Sequence, residues 1–155
     1  MSKIAEKLKS LNITIPEALA PVANYVGFVK TGNQVVISGQ LPIENGQLKY
    51  VGKVGTEISA EDAKKAARLC ALNIISQVQA ACGGDLDKVT RCVKLGVFVN
   101  AEPNFTDHPI VANGASDLMV EVFGDVGKHA RAAVGSGSLP KGVAVEVDAI
   151  FEVKN

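Results

Sequence analysis

The chain has 155 residues, 47% of them hydrophobic and 21% charged, which suits one globular domain over residues 1–155 and gives no sign of disorder. Its 16 basic side chains are balanced by 16 acidic ones, so the basic excess that phosphate contacts need is missing and a small-molecule ligand is favoured over nucleic acid. No stretch approaches the roughly 20 apolar residues of a membrane span, and the N-terminus has no signal-peptide core. The three cysteines, Cys70, Cys82 and Cys92, are odd in number and form no CxxC pair, so free thiols and a cytoplasmic location are expected.

Ile4, Leu8 and Leu11 recur at helical spacing and predict a short amphipathic helix over Ser2–Leu11. The β-rich runs Gly27–Val29 and Val35–Ile37 flank the turn cluster Thr31-Gly32-Asn33 and predict a hairpin whose second strand is ended by Pro42. Ser59 is placed to cap a long helix running to about Cys82, with Glu61 and Asp62 in its first turn and Gly83-Gly84 as its stop. Its inward face is Ala63, Ala66, Ala67, Cys70, Ile74 and Val78.

Val89 to Val99 alternates as a strand. A second helix follows from Asp107 or His108 to Phe123, with Pro109 in its first turn and a buried stripe of Ile110, Leu118, Met119, Val122 and Phe123. Two further strands are expected at Arg131–Ser136 and Val143–Val153, joined by Leu139-Pro140-Lys141-Gly142. The order α-β-β-α-β-α-β-β predicts an α+β fold in which two long helices cover one face of a mixed sheet. The other sheet face carries Glu146 among small and apolar residues and is free to pack against other subunits.

Neither His108 nor His129 lies in zinc-ligand spacing, and no nucleophile elbow or P-loop is present, so no metal or cofactor is expected. His129 and Arg131 share one side of a strand; His129 reads as a solvated histidine that could also meet a ligand. Cys70 reads as core.

Three segments carry a family pattern in order: Ile37-Ser38-Gly39-Gln40-Leu41-Pro42; Val97-Phe98-Val99 with Asn104-Phe105; and Ala130-Arg131-Ala132-Ala133-Val134 followed by Leu139-Pro140 and Val145–Ile150. Over about Pro16 to Val153 the chain resembles the YjgF/RidA family of reactive-intermediate (imine) deaminases, whose older labels are endoribonuclease L-PSP and translation inhibitor. It resembles a branch with a longer N-terminus, here residues 1–15, and an insertion around Thr106–Gly114. The resemblance implies a chorismate-mutase-like homotrimer with clefts between subunits. It also implies hydrolysis of 2-iminoalkanoates and their enamine tautomers to 2-oxoacids and ammonia, without a cofactor.

By the same resemblance, Arg131 binds the substrate carboxylate, Glu146 orients the attacking water, and Ala133 supplies a backbone carbonyl. Gly39, Tyr25 and Phe105 complete substrate binding. Arginine suits the first role because its planar fork makes two parallel hydrogen bonds to a carboxylate. Imine hydrolysis also needs water delivered to carbon and a proton moved to nitrogen, which suits a mid-strand glutamate. Without the family pattern, Arg131 reads as a surface ion pair with Asp148 or Glu152, Glu146 as a structural strand-edge residue, Gly39 as a bulge or turn glycine, and Tyr25 as core.

The chain departs from the pattern in having Ala132-Ala133 where Ser-Cys is common, and Pro103 in place of an asparagine. Three functions are therefore carried forward: an imine deaminase, a non-catalytic sensor or carrier of a small carboxylate-bearing metabolite in the same trimer cleft, and a ribonuclease or translation inhibitor. The neutral charge weighs against the third.

Overall fold

A computed structural model describes residues 2–155. Ser2 caps the first helix, α1 (Lys3–Ser10), by accepting from the Ala5 amide at 3.0 Å. The Asp87 carboxylate accepts from the Lys3 and Ile4 amides at 2.9 Å each. A carboxylate aimed at the free amides of a helix N-terminus is stabilised as the anion, and these bonds hold Asp87 below the usual carboxylate range.

Strands β1 (Phe28–Thr31) and β2 (Gln34–Gln40) form the expected hairpin, turning at Gly32 with φ of 58°. A second, two-residue hairpin follows, β3 (Ile43–Glu44) and β4 (Gln47–Leu48), which the hydrophobic pattern does not announce. Its turn is Asn45-Gly46 at φ of 52° and 77°, the left-handed pair a tight hairpin needs. Helix α2 (Ala60–Ala81) begins where Ser59 accepts from the Asp62 amide at 3.1 Å and ends at Gly83 in the left-handed region. Strand β5 (Val89–Asn100), helix α3 (His108–Phe123), and strands β6 (Ala130–Ser136) and β7 (Val145–Val153) complete the chain.

The five-stranded sheet has the order β1-β2-β7-β5-β6. Only β5 and β6 run parallel, because α3 makes the crossover between them. One sheet face (Val35, Ile37, Leu95, Val97, Val147, Phe151) is sealed by α2 and α3 and is fully or almost fully buried. Cys70, Ile74 and Val78 of α2 and Leu118, Met119 and Val122 of α3 meet it there. Ile110 departs from its expected place in the α3 stripe: it is 42% exposed, and Val111, Ala112 and Ala115 turn inward instead. Among the described residues, no element covers the opposite sheet face. It presents Val36, Phe98, Val134 and Ile150 beside Lys94, Glu146 and Asp148. None of the described helices is long and apolar enough to cross a membrane.

The two helices are in close contact at Gly114, where an added Cβ would overlap the Lys64 carbonyl of α2. Alanine favours a helix over glycine by about 1 kcal/mol, but here it meets rigid backbone. Gly114→Ala is therefore expected to destabilise the fold by roughly 1–3 kcal/mol, the usual cost of overpacking. Chemical denaturation checks this, and a gain in stability would contradict the close helix contact.

Candidate functional site

Arg131 lies on β6, the edge strand, opposite Leu95 of β5, and so points to the helix-covered side of the sheet. Its Nη1 donates to Asn113 Oδ1 at 2.8 Å and to Ser116 Oγ at 3.1 Å, both on α3. Among the described residues, no acceptor bonds the rest of the fork. The ion pair with Asp148 or Glu152 does not form. Asp148 lies on the opposite sheet face over Gly96, and Glu152 accepts instead from the Thr90 hydroxyl at 2.6 Å.

Ala133 follows Arg131 by two residues on the same side of β6, partly buried against the core. His129 is not the free solvated residue expected. Its Nε2 lies 2.8 Å from Ser116 Oγ and its Nδ1 lies 2.6 Å from the Gly127 carbonyl. Phe105 is half-buried and sets its ring edge-to-face with His108, 5.3 Å between centroids.

Glu146 belongs to the other side of the sheet, paired with Phe98. The pairings Ile37 with Ala149 and Gln40 with Val147 leave one extra residue in β2, a bulge at Ser38-Gly39. The bulge brings Gly39 under the Glu146 carboxylate, so closely that a Cβ at Gly39 would overlap it. Gly39 is thus both a bulge glycine and the floor on which Glu146 rests. Burial pushes the Glu146 carboxyl above the usual carboxylate range, and neighbouring Asp148 adds to the shift. Asp148 is itself raised by burial, an effect that Lys94 opposes.

Tyr25 is 57% exposed, not core. With Leu19, Pro21, Val22 and Ser38 it lines a cleft of about 260 Å³ that also reaches Gly39. The candidate residues therefore fall into two candidate half-sites: Tyr25 lines the cleft that reaches Gly39, on which Glu146 rests, while Arg131 and Ala133 share the helix-covered side of β6. Phe105 lies toward the far end of β6, where its neighbour His108 comes close to Gly135. The sheet separates Arg131 from Glu146, and one chain does not bring them together.

Neither half-site offers a reactive thiol. All three cysteines are buried, and burial pushes their thiols up, Cys92 to about 12. Among the described residues no group of three or more His, Cys, Asp or Glu side chains could hold a metal ion.

Asn113 and Ser116 were missed by the sequence reading. Their signal was present: two polar residues three apart on a largely apolar helix sit on one face and need an acceptor or donor beneath them.

Because the Gly39 clash is with the end of a side chain, Gly39→Ala is expected to displace the Glu146 carboxylate at little cost in folding. With Glu146 in the water-orienting role that the family resemblance implies, deaminase activity should fall roughly 10- to 100-fold, as misplacement of such a group by about 1 Å commonly does, while the melting temperature barely moves. Parallel kinetics and thermal melts check this, and unchanged activity would disconnect Gly39 from Glu146.

Residues 5–150 match the sequence model of the family described as "YjgF/chorismate_mutase-like, putative endoribonuclease". Protein TCP17 of Trypanosoma cruzi is 51% identical over 99% of this chain and 96% of its own length. A 2-iminobutanoate/2-iminopropanoate deaminase of Dermatophagoides farinae is 28% identical over 92% of this chain and 95% of its own. Among solved structures, the protein Atu1372 of Agrobacterium tumefaciens, of unknown function, superposes with a TM-score of 0.91 at 48% identity, covering 97% of this chain and 92% of that one.

Proposed function

Because the chain belongs to the YjgF/chorismate-mutase-like family, we propose that it is an imine/enamine deaminase, hydrolysing 2-iminoalkanoates to 2-oxoacids and ammonia in clefts between the subunits of a cytoplasmic homotrimer. The observation that carries this reading is the pair of complementary half-sites. One offers an arginine fork anchored through Nη1 alone. The other offers a partly desolvated carboxylate resting over a bulge glycine. Assembly that apposes β6 of one subunit to the Tyr25–Gly39 cleft of the next completes the site. The uncovered sheet face, with Val36, Val134 and Ile150, is the surface such assembly would bury.

In this scheme the open edge of Arg131 takes the substrate carboxylate and fixes the imine carbon. Glu146, deprotonated, accepts a hydrogen bond from a water and aims its lone pair at that carbon. Attack breaks the C=N π bond and gives a carbinolamine. Proton transfer to nitrogen then lets ammonia leave as the C=O bond forms. The Ala133 carbonyl accepts from the nitrogen of substrate and leaving group, a backbone role for which alanine serves as well as cysteine.

The test is ammonia release from 2-iminopropanoate and 2-iminobutanoate generated in place by an amino-acid oxidase. Acceleration over the spontaneous rate is expected. An unaccelerated reaction, with pyruvate still bound, would leave a carboxylate-binding protein rather than an enzyme. RNA cleavage under the same conditions would favour the ribonuclease reading, against which the balanced charge stands.

A further inference from the structure

The anchoring of Arg131 is more elaborate than one half of a binding site requires. The Gly127 carbonyl can only accept, so the hydrogen between it and His129 sits on Nδ1. In the Nδ1–H tautomer Nε2 is the acceptor, and the Ser116 hydroxyl donates to it. That turns the oxygen lone pairs of Ser116 toward Arg131, whose Nη1 donates to them. The second hydrogen of Nη1 goes to Asn113 Oδ1. Each donor in the chain Arg131–Ser116–His129–Gly127 thus meets an acceptor, with one direction throughout.

The far end of this chain is fixed independently. Arg91 Nη1 donates to the Asp125 and Lys128 carbonyls at 3.0 and 2.9 Å, clamping the turn that carries Gly127. Gly127 is buried so close to α3 that a Cβ there would overlap the Met119 carbonyl. Asn113 lies within the Thr106–Gly114 segment, and Ser116 is two residues beyond it.

From this we infer that Asn113, Ser116 and His129 are positioning residues that spend both hydrogens of Arg131 Nη1 and leave its Nε–Nη2 edge as the one that binds a carboxylate. The inference rests on the proposed carboxylate-binding role of Arg131. A guanidinium has two edges suited to bidentate binding: the end formed by its two Nη atoms, and the side formed by Nε and Nη2. Commitment of Nη1 removes the first. The substrate carboxylate must therefore approach from the side edge. In an unanchored arginine the stem would choose between the two, and the imine carbon would not be held at one distance from the attacking water.

Two readouts test it on the full-length protein. Nitrogen-15 NMR of the arginine side chains should show separate Nη1 and Nη2 signals for Arg131, reporting slow rotation of the held group, and pyruvate should shift Nε and Nη2 more than Nη1. Ser116→Ala and His129→Ala should speed that rotation. They should also lower kcat/KM for 2-iminopropanoate by roughly 10- to 100-fold, with melting temperatures close to wild type. Ser116→Thr and His129→Gln, which keep the hydroxyl and an acceptor near Nε2, should restore most of the loss. In an Arg131→Ala background the Ser116→Ala penalty should vanish, because its target is gone.

Averaged Nη signals in the wild type, no response of Arg131 to pyruvate, or a Ser116→Ala penalty that persists without Arg131 would overturn the positioning role. An inactive wild type whose Arg131 side edge still responds to pyruvate would overturn the deaminase reading alone and uphold the positioning of the carboxylate.

Discussion

Arg131→Ala is expected to lower kcat/KM for 2-iminopropanoate by roughly 10²–10⁴-fold, since two charge-assisted hydrogen bonds of about 1.5–3 kcal/mol each are lost together. The loss should appear in KM as well as kcat, because the carboxylate is held in the ground state and in the transition state. Pyruvate binding should weaken in parallel. Arg131→Lys should rescue little, because a point charge cannot reproduce the planar fork. The fold should tolerate the change better than the activity does: the side chain is only half-buried, and Asn113 and Ser116 lie at a helix surface that water can reach once the guanidinium is gone. Steady-state kinetics beside calorimetric titration with pyruvate checks this. A variant that still binds pyruvate and turns over within a few-fold of wild type would move the carboxylate site elsewhere.

Glu146→Gln should act on the other half of the chemistry and on stability in opposite directions. Loss of a positioned base lowers kcat by roughly 10²–10⁴-fold, with little change in KM, since Gln keeps the shape over Gly39. Stability follows from linkage. The folded-state pKa of Glu146 is raised by burial and then by Asp148. A raised carboxyl binds its proton more tightly in the folded chain than in the unfolded one. The group therefore favours folding most below its unfolded pKa, and that contribution is lost as pH climbs to the folded value. At pH 7 the charge is a liability, so Glu146→Gln should raise the melting temperature there, and the gain should shrink as pH falls through the carboxylate range. Wild-type activity should lose its acidic limb at a pH above the usual carboxylate range, where Glu146 takes up its proton. A variant that is both active and less stable at pH 7 would assign Glu146 to structure alone.

Much of the fold was legible because local signals agreed with the global arrangement. Ser59, Gly83 and the alanine face of α2 set that helix, and the alternation of β7 set which residues face the helices. The β3–β4 hairpin was legible only in Asn45-Gly46, because strands of two residues have no period to read. Ile110 was misplaced because four residues at the N-terminal end of α3 compete for one inward face, and the small Ala112 and Ala115 win where α2 comes close. The residue types of the candidate site were legible through motif resemblance, and the face of Glu146 through the alternation of β7. The face of Arg131 was not, because β6 is short and rich in small residues and has no apolar period to read, and the close approach of Gly39 to Glu146 depends on a bulge at Ser38-Gly39 that no local signal announces. The polar support of Arg131 was hidden for a related reason: Asn113 and Ser116 are far from it in sequence and meet it only when α3 crosses over β6.

In the proposed site Arg131 and Glu146, on opposite faces of one sheet, work together across a boundary between copies of the chain. Subunit complementation tests it most directly. Arg131→Ala and Glu146→Gln proteins, each inactive, are mixed in equal amounts, unfolded, refolded together and assayed with 2-iminopropanoate. In a head-to-tail assembly, random mixing joins an intact Arg131 to an intact Glu146 at about a quarter of the clefts, so about a quarter of wild-type activity should return. A mixture as inactive as its parents, while the refolded wild type recovers fully, would contradict a site shared between subunits.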